Sequence, residues 1–220
     1  MLNRTVYSVD DNLFEQLTYN KITVDFKLAL NEPTGDFFYD PWVIKDEYKN
    51  TVWEQLYNSL PTNKGEARLI KLEPGTSYLA HADMDNRWHF NIQAKQSYLI
   101  DLKDGIMHNI KPDQYWYYMD AGKYHTAANF GNIDRIQLVV RELFKHRQLY
   151  NPVTLKIKLK EHTHDYRYEF DRVISPWLNR ANKLGCINNF KYINEEVEFE
   201  LENELLKELK DILPKQFEIV

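Results

Sequence analysis

Ser97-Tyr98-Leu99-Ile100-Asp101-Leu102-Lys103-Asp104-Gly105-Ile106-Met107-His108-Asn109-Ile110 is the stretch that decides the fold. Two runs of alternating character, Ser97 to Leu102 and Ile106 to Ile110, flank Asp104-Gly105, and Asp-Gly between such runs is the strongest short-range hairpin signal. The same texture repeats on either side, in Ala67 to Leu72, Arg87 to Gln93, Tyr115 to Met119 and Arg135 to Glu142, punctuated by Pro74-Gly75 and Ala121-Gly122. Many short strands between tight turns predict a mainly β chain whose core is an antiparallel sandwich or barrel of jelly-roll type.

The flanks read differently. Ile22 to Phe26 alternates as a strand, Asn31 to Asp36 is a turn-rich loop, and Phe37 to Trp42 is an aromatic segment, either pinned to the core or forming a pocket wall. Lys45 to Leu60 predicts one helix, because Tyr48, Val52, Leu56 and Leu60 recur every four residues and Pro61 follows. Residues 151–220 read as a C-terminal α+β appendage to a domain spanning 1–150. Its expected elements are a strand over Val153 to Leu159, a helix over Tyr166 to Leu184 interrupted around Pro176, and short strands at Phe190 to Ile193 and Val197 to Phe199. A final helix is marked by Leu201, Leu205, Leu209 and Ile212.

A chain of 220 residues and 26.4 kDa has room for one well-filled domain and a small addition. Its net charge of -5, with Lys and Arg scattered among the acids, disfavours a nucleic-acid partner. The single cysteine, Cys186, excludes an internal disulfide or a Cys-rich zinc cluster and fits a reducing compartment. The N-terminus lacks a signal-peptide core and no apolar run reaches bilayer length, so a soluble, cytoplasmic protein with no membrane partner is expected.

The chemistry gathers at His81, Asp83, His125 and Arg135. In a strand, residues i and i+2 share a face, so His81 and Asp83 can offer an imidazole nitrogen and a carboxylate oxygen to one ion. His125, beside Gly122, is placed to return as the third ligand. Two His and one carboxylate on one face of a metal leave positions open for a co-substrate and dioxygen, the arrangement of non-haem iron(II) oxygenases. Arg135 heads an otherwise apolar run, where a buried guanidinium would demand an anionic partner such as a dicarboxylate. His-x-Asp alone is a weak signal; the conjunction in a β-rich context is strong. His108 and His146 read as solvated residues. His162 and His164 have metal-compatible spacing with Asp165 but no distant third ligand, so they too read as surface.

Residues 67–142 resemble the double-stranded β-helix core of the Fe(II)- and 2-oxoglutarate-dependent dioxygenases, and within them the aspartyl/asparaginyl β-hydroxylase group and its bacterial proline hydroxylase relatives. The resemblance rests on Pro74-Gly75-Thr76 before His81, on Arg87-Trp88-His89, and on His125-Thr126-Ala127-Ala128-Asn129 followed by Arg135. It implies that His81, Asp83 and His125 bind iron, that Arg135 holds the far carboxylate of 2-oxoglutarate, and that Arg87 and His89 orient that co-substrate, with no catalytic side chain beyond the metal ligands. It also implies that the Asn31 to Trp42 loop is the substrate-side loop. The implied reaction is oxidative decarboxylation of 2-oxoglutarate to succinate and carbon dioxide, coupled through O2 to hydroxylation of an amino acid, free or in a peptide. One departure stands out: the aspartyl hydroxylases proper carry glycine at the position of Asp83. The acid here argues for a complete triad, against the halogenases of the superfamily, and puts an aspartyl or asparaginyl substrate in doubt.

Two other readings remain open at this level. The same cofactor set could demethylate or desaturate another small metabolite, or the jelly roll could be a non-catalytic module holding zinc or a carboxylate ligand. A docking role for residues 151–220 is a third, although their Leu stripe reads first as an intramolecular packing face.

Overall fold

The computed structural model describes residues 1–19, 24–160, 165–193 and 196–220. The chain runs β1 (Leu2–Ser8), α1 (Asp11–Tyr19), β2 (Lys27–Ala29), β3 (Asn31–Pro33), β4 (Trp42–Ile44), α2 (Val52–Asn58), β5 (Lys64–Leu72), β6 (Arg87–Gln93), β7 (Ser97–Asp101) and β8 (Ile106–Asn109). It continues through β9 (Tyr115–Met119), β10 (His125–Asn129), β11 (Arg135–Glu142), β12 (Pro152–Leu159), α3 (Tyr166–Glu169), α4 (Ser175–Leu184), β13 (Ile187–Ile193), β14 (Glu196–Glu202), α5 (Leu206–Ile212) and β15 (Phe217–Ile219).

A six-stranded antiparallel sheet in the order β1-β9-β6-β11-β5-β2 faces a three-stranded sheet β10-β7-β8, and the two do not close into a barrel. Alternation along β11 explains the layering. Leu138 and Val140 point to one face, where they pack with Leu69, Phe90 and Trp116 against Leu17 of α1 and Trp53 and Leu56 of α2. Arg135 and Gln137 point to the other, toward the small sheet. Between the sheets lies a thin apolar layer in which Leu72 and Met119 meet Leu99 and Ala127. Away from that layer the inter-sheet face carries polar side chains, and that composition creates the site.

A further sheet, β13-β14-β12-β15, packs against the helical segment from Tyr166 to Leu184. Its core, which includes Trp177, Leu178, Phe190 and Phe199, takes in Phe38, Tyr39 and Phe144 from the rest of the chain.

Several expectations change. The helix expected over Lys45 to Leu60 is a 3-10 turn at Asp46–Tyr48 and then α2, because Asn50 adopts a left-handed backbone (φ 58°) and the Thr51 hydroxyl caps the new helix by accepting from Trp53 N at 3.2 Å. The interruption around Pro176 is instead a π-helical turn, Phe170–Ile174, immediately before it; a widened turn accommodates a residue without an N–H while the helix continues. Val24 to Phe26 are irregular, and the rest of the strand expected from Ile22 lies outside the described residues, as do His162 and His164.

Candidate metal centre

His81 and His125 are neighbours through their backbones. His81 N donates to His125 O at 2.9 Å and His125 N donates to His81 O at 2.8 Å, an isolated antiparallel bridge joining the segment after β5 to the start of β10. The rings therefore lie side by side, 4.5 Å between centroids. Asp83 is fixed by its N–H donating to Ala121 O at 2.8 Å, and its Oδ2 stands 3.9 Å from Nε2 of each histidine. Three potential ligand atoms thus fall within 4.8 Å of one another.

The protonation states suit ligation. Nδ1 of His81 lies 2.8 Å from Leu79 O and Nδ1 of His125 2.6 Å from Lys123 O. A carbonyl only accepts, so each Nδ1 carries a proton and each ring turns its Nε2 toward Asp83. Burial pushes His125 down to about 4, against the pull of Asp83, so its ring is neutral at physiological pH. Burial alone would raise Asp83, but Arg87, His81 and His125 outweigh it and hold the carboxylate well below its usual range. Ligands at right angles on bonds of about 2.1 Å stand about 3 Å apart, so the triad would close by roughly 1 Å around an ion. Two neutral imidazoles and one carboxylate fit a divalent first-row metal.

Arg87 orients the Asp83 carboxylate. Its Nη2 donates to Oδ1 at 2.9 Å and its Nε to Oδ2 at 3.4 Å, the oxygen that also faces the histidines, while its Nη1 lies 2.5 Å from Asp85 Oδ1. From the C-terminal part of the chain Asn179 donates to Asp83 O at 3.4 Å and to Asn86 Oδ1 at 3.3 Å. Asp171, on the π turn, is buried and raised by that burial, and its charge is felt by His81 and Asp83.

Behind the triad lies Arg135, only 2% exposed. Its guanidinium donates to Gln137 Oε1 (3.1 and 2.5 Å), to Ser97 Oγ (3.4 Å) and to Tyr98 O (3.5 Å), and it meets no acid among the described residues. Burial drags it down to about 10. His89 is equally enclosed; neither ring nitrogen reaches a partner with hydrogen-bond geometry, and burial, aided by the charge of Arg135, pushes it down to about 3. Tyr78 Oη and Asn91 Oδ1 are buried without a hydrogen bond, and Arg68 Nε has only the carboxylate of Glu66, 3.5 Å away. Native interiors leave few such atoms.

The structure brings together His81, Asp83 and His125, which sequence reasoning singled out with Arg135, Arg87 and His89; Arg68, Tyr78, Asn91 and Gln137 were not singled out. The signal for Arg68 was present: a charge inside the apolar run Ala67 to Leu72, as for Arg135. His108 departs from expectation, being half-buried with a desolvated Nε2 and lowered by that burial; β8 pairs with β7 and turns it inward. His146 is exposed and stacks on Tyr39, 4.4 Å between centroids. A surface cleft of about 430 Å³ beside Asp36, Tyr39 and His146 shares no lining residue with the triad.

No family profile matches the sequence, and no curated protein matches it either. Among solved structures the fold is similar to a crystal structure of CapF with the inhibitor 3-isopropenyl-tropolone, at 15% identity and a TM-score of 0.32. The match covers 52% of this chain and 31% of that one, so the chain spans about a third of that protein; a likeness this slight carries no argument.

Proposed function

We propose that this chain is a metal-dependent oxygenase in which His81, Asp83 and His125 hold Fe(II) and Arg135 holds the distal carboxylate of 2-oxoglutarate. The observation that carries the second half is a guanidinium enclosed between two sheets without an acidic partner among the described residues. An isolated buried cation is costly, and a fixed guanidinium fork suits a carboxylate. When bound, iron and the 2-oxoacid would supply the oxidising power that consumes O2 and hydroxylates a C–H bond, with release of succinate and CO2.

The side chains contribute geometry and charge. The Nδ1–H···O=C bonds of His81 and His125 fix both rings with Nε2 forward. Arg87 orients the Asp83 carboxylate through both of its oxygens and, with His89, would flank the near end of the co-substrate. Tyr78 and Ser97 supply hydroxyls on the way to Arg135. The substrate class we favour is an amino acid, free or in a peptide.

The test is succinate formation from 2-oxoglutarate with Fe(II) and ascorbate, uncoupled turnover included, for the wild type and Arg135→Met. Turnover in the wild type and its loss in a variant that still binds metal supports the reading. Metal binding with no succinate at any substrate tried would leave a metal-binding module instead.

A further inference from the structure

Arg87 does not end at Asp83. It continues into a buried chain of alternating charge: Asp83 Oδ1, then Arg87 (2.9 Å), then Asp85 (2.5 Å from Arg87 Nη1), then Arg141, whose Nε donates to Asp85 Oδ2 at 2.5 Å and whose Nη2 also contacts that oxygen. Asp85 is 2% exposed, so water does little to screen it. The Arg141 guanidinium in turn lies under Phe37 and Phe38, 4.3 and 5.0 Å from the ring centroids. Those rings belong to the loop between β3 and β4. The loop is held by Asp36 Oδ1, which accepts from Phe38 N at 2.8 Å, and by Phe38 O, which accepts from Phe144 N at 2.8 Å.

We propose that Asp85 and Arg141 are positioning residues for the ligand carboxylate of Asp83, and that Phe37 and Phe38 couple the loop they sit on to the metal centre through Arg141. This rests on the metal-centre reading above. The physical reason is that Arg87 is shared. With Arg141 in place, Asp85 is shared between two guanidiniums, Glu66 stands 3.9 Å from Arg141 as a more distant acid, and Arg87 spans Asp83 and Asp85. Without Arg141, Asp85 is left buried with Arg87 as its sole close cation, and Arg87 shifts toward it. Asp83 then loses the two donors that fix its plane, Nη2 on Oδ1 and Nε on Oδ2, and the carboxylate is free to rotate away from the histidines. The rings over Arg141 hold its guanidinium flat against Asp85, so a displaced loop acts in the same direction.

The experiment is a Co(II) titration, read by calorimetry and by the ligand-field absorption of the bound ion, on the wild type, Arg141→Met, Arg141→Lys, Asp85→Asn and Phe37→Leu. His81→Ala serves as the control that abolishes binding. Losing such outer partners typically costs about 10–100-fold in metal affinity. We expect a loss in that range for Arg141→Met and Asp85→Asn with a changed cobalt spectrum, partial recovery in Arg141→Lys, and a smaller loss in Phe37→Leu. Wild-type affinity and spectrum in folded Arg141→Met overturn the proposal. If that variant does not fold, unchanged binding and spectrum in both Arg141→Lys and Phe37→Leu overturn it equally. Absence of Co(II) binding by the wild type would instead remove the metal centre itself, and the positioning role with it.

Discussion

Arg135 shows what a buried charge costs its own fold. Its guanidinium is desolvated and answered only by an amide, a hydroxyl and a carbonyl, and its depressed pKa expresses the strain of keeping that charge inside. A methionine of similar length would remove the desolvation penalty while leaving Gln137 and Ser97 short of a donor, each a loss of about 1–3 kcal/mol. Arg135→Met is therefore expected to unfold in urea within about 1 kcal/mol of the wild type or above it, although it abolishes 2-oxoglutarate binding. A loss of several kcal/mol would mean that Arg135 is a structural bridge between the sheets. His89 gives a pH prediction of definite sign. Its folded pKa, about 3, lies below the ordinary value of 6.5, so the unfolded chain takes the proton first. The stability associated with His89 is then complete above pH 6.5 and falls as pH drops toward 3, at about 1.4 kcal/mol per pH unit. Urea midpoints at pH 7.5 and 4.5 should differ less for His89→Gln than for the wild type, with His125 responsible for part of what remains.

At the scale of elements, the turn before β10 must fit under α4. A Cβ on Gly122 would lie 2.6 Å from Asn179 Cγ and 2.7 Å from Asn179 Cβ. Gly122→Ala should therefore push α4 outward, break the Asn179 bond to Asp83 O, and cost about 1–3 kcal/mol by thermal or urea unfolding. Asn179→Ala should not rescue it, because the Cβ contact remains; rescue by that truncation would sink the argument. Such contacts also explain what was legible in the sequence. Strands β6, β9 and β11 have the limits that period-two alternation predicts, and the triad stood out through the conjunction of His81-x-Asp83 with a later His125 and Arg135 in a β-rich context. What could not be read was set by tertiary context. The break at Asn50 follows from a left-handed residue inside an otherwise helical apolar period, and α1 hides in a segment whose only strong signal is Asp10 capping Leu13 N at 2.8 Å. Strand β10 was missed because Thr126-Ala127-Ala128 has little strand character of its own and is held by β7 on one side and by Tyr78 and His81 on the other. Tyr78 and Asn91 became visible only when the inter-sheet face was known, since each is unremarkable until its buried oxygen is seen to lack a hydrogen bond.

At the scale of the whole molecule, residues 151–220 are tied to the rest both by packing and at the metal centre. Phe38, Tyr39 and Phe144 are buried in the same apolar cluster as Phe190 and Phe199, and Tyr39 Oη accepts from Phe190 N at 2.9 Å. Cutting the chain after Tyr150 would uncover those three rings together, a patch large enough to promote association. The same cut removes Asn179 from Asp83 O and Lys183 from Asp120, which neighbours the Ala121 carbonyl that fixes Asp83. Two consequences are separable. Residues 1–150 alone should be poorly soluble and bind the fluorescent apolar dye ANS, and a fraction kept soluble by replacing Phe38 and Phe144 with polar residues should still bind Co(II) at least tenfold more weakly than the full chain carrying the same replacements. The full chain should be stabilised by the metal, by about 2.7 kcal/mol at a hundredfold excess of free ion over Kd, and His81→Ala should lose that increment while keeping its apo stability. If instead the soluble 1–150 fragment bound Co(II) as tightly as the full chain with those replacements, the C-terminal segment would be a cover for the aromatic rings alone, with no part in holding Asp83.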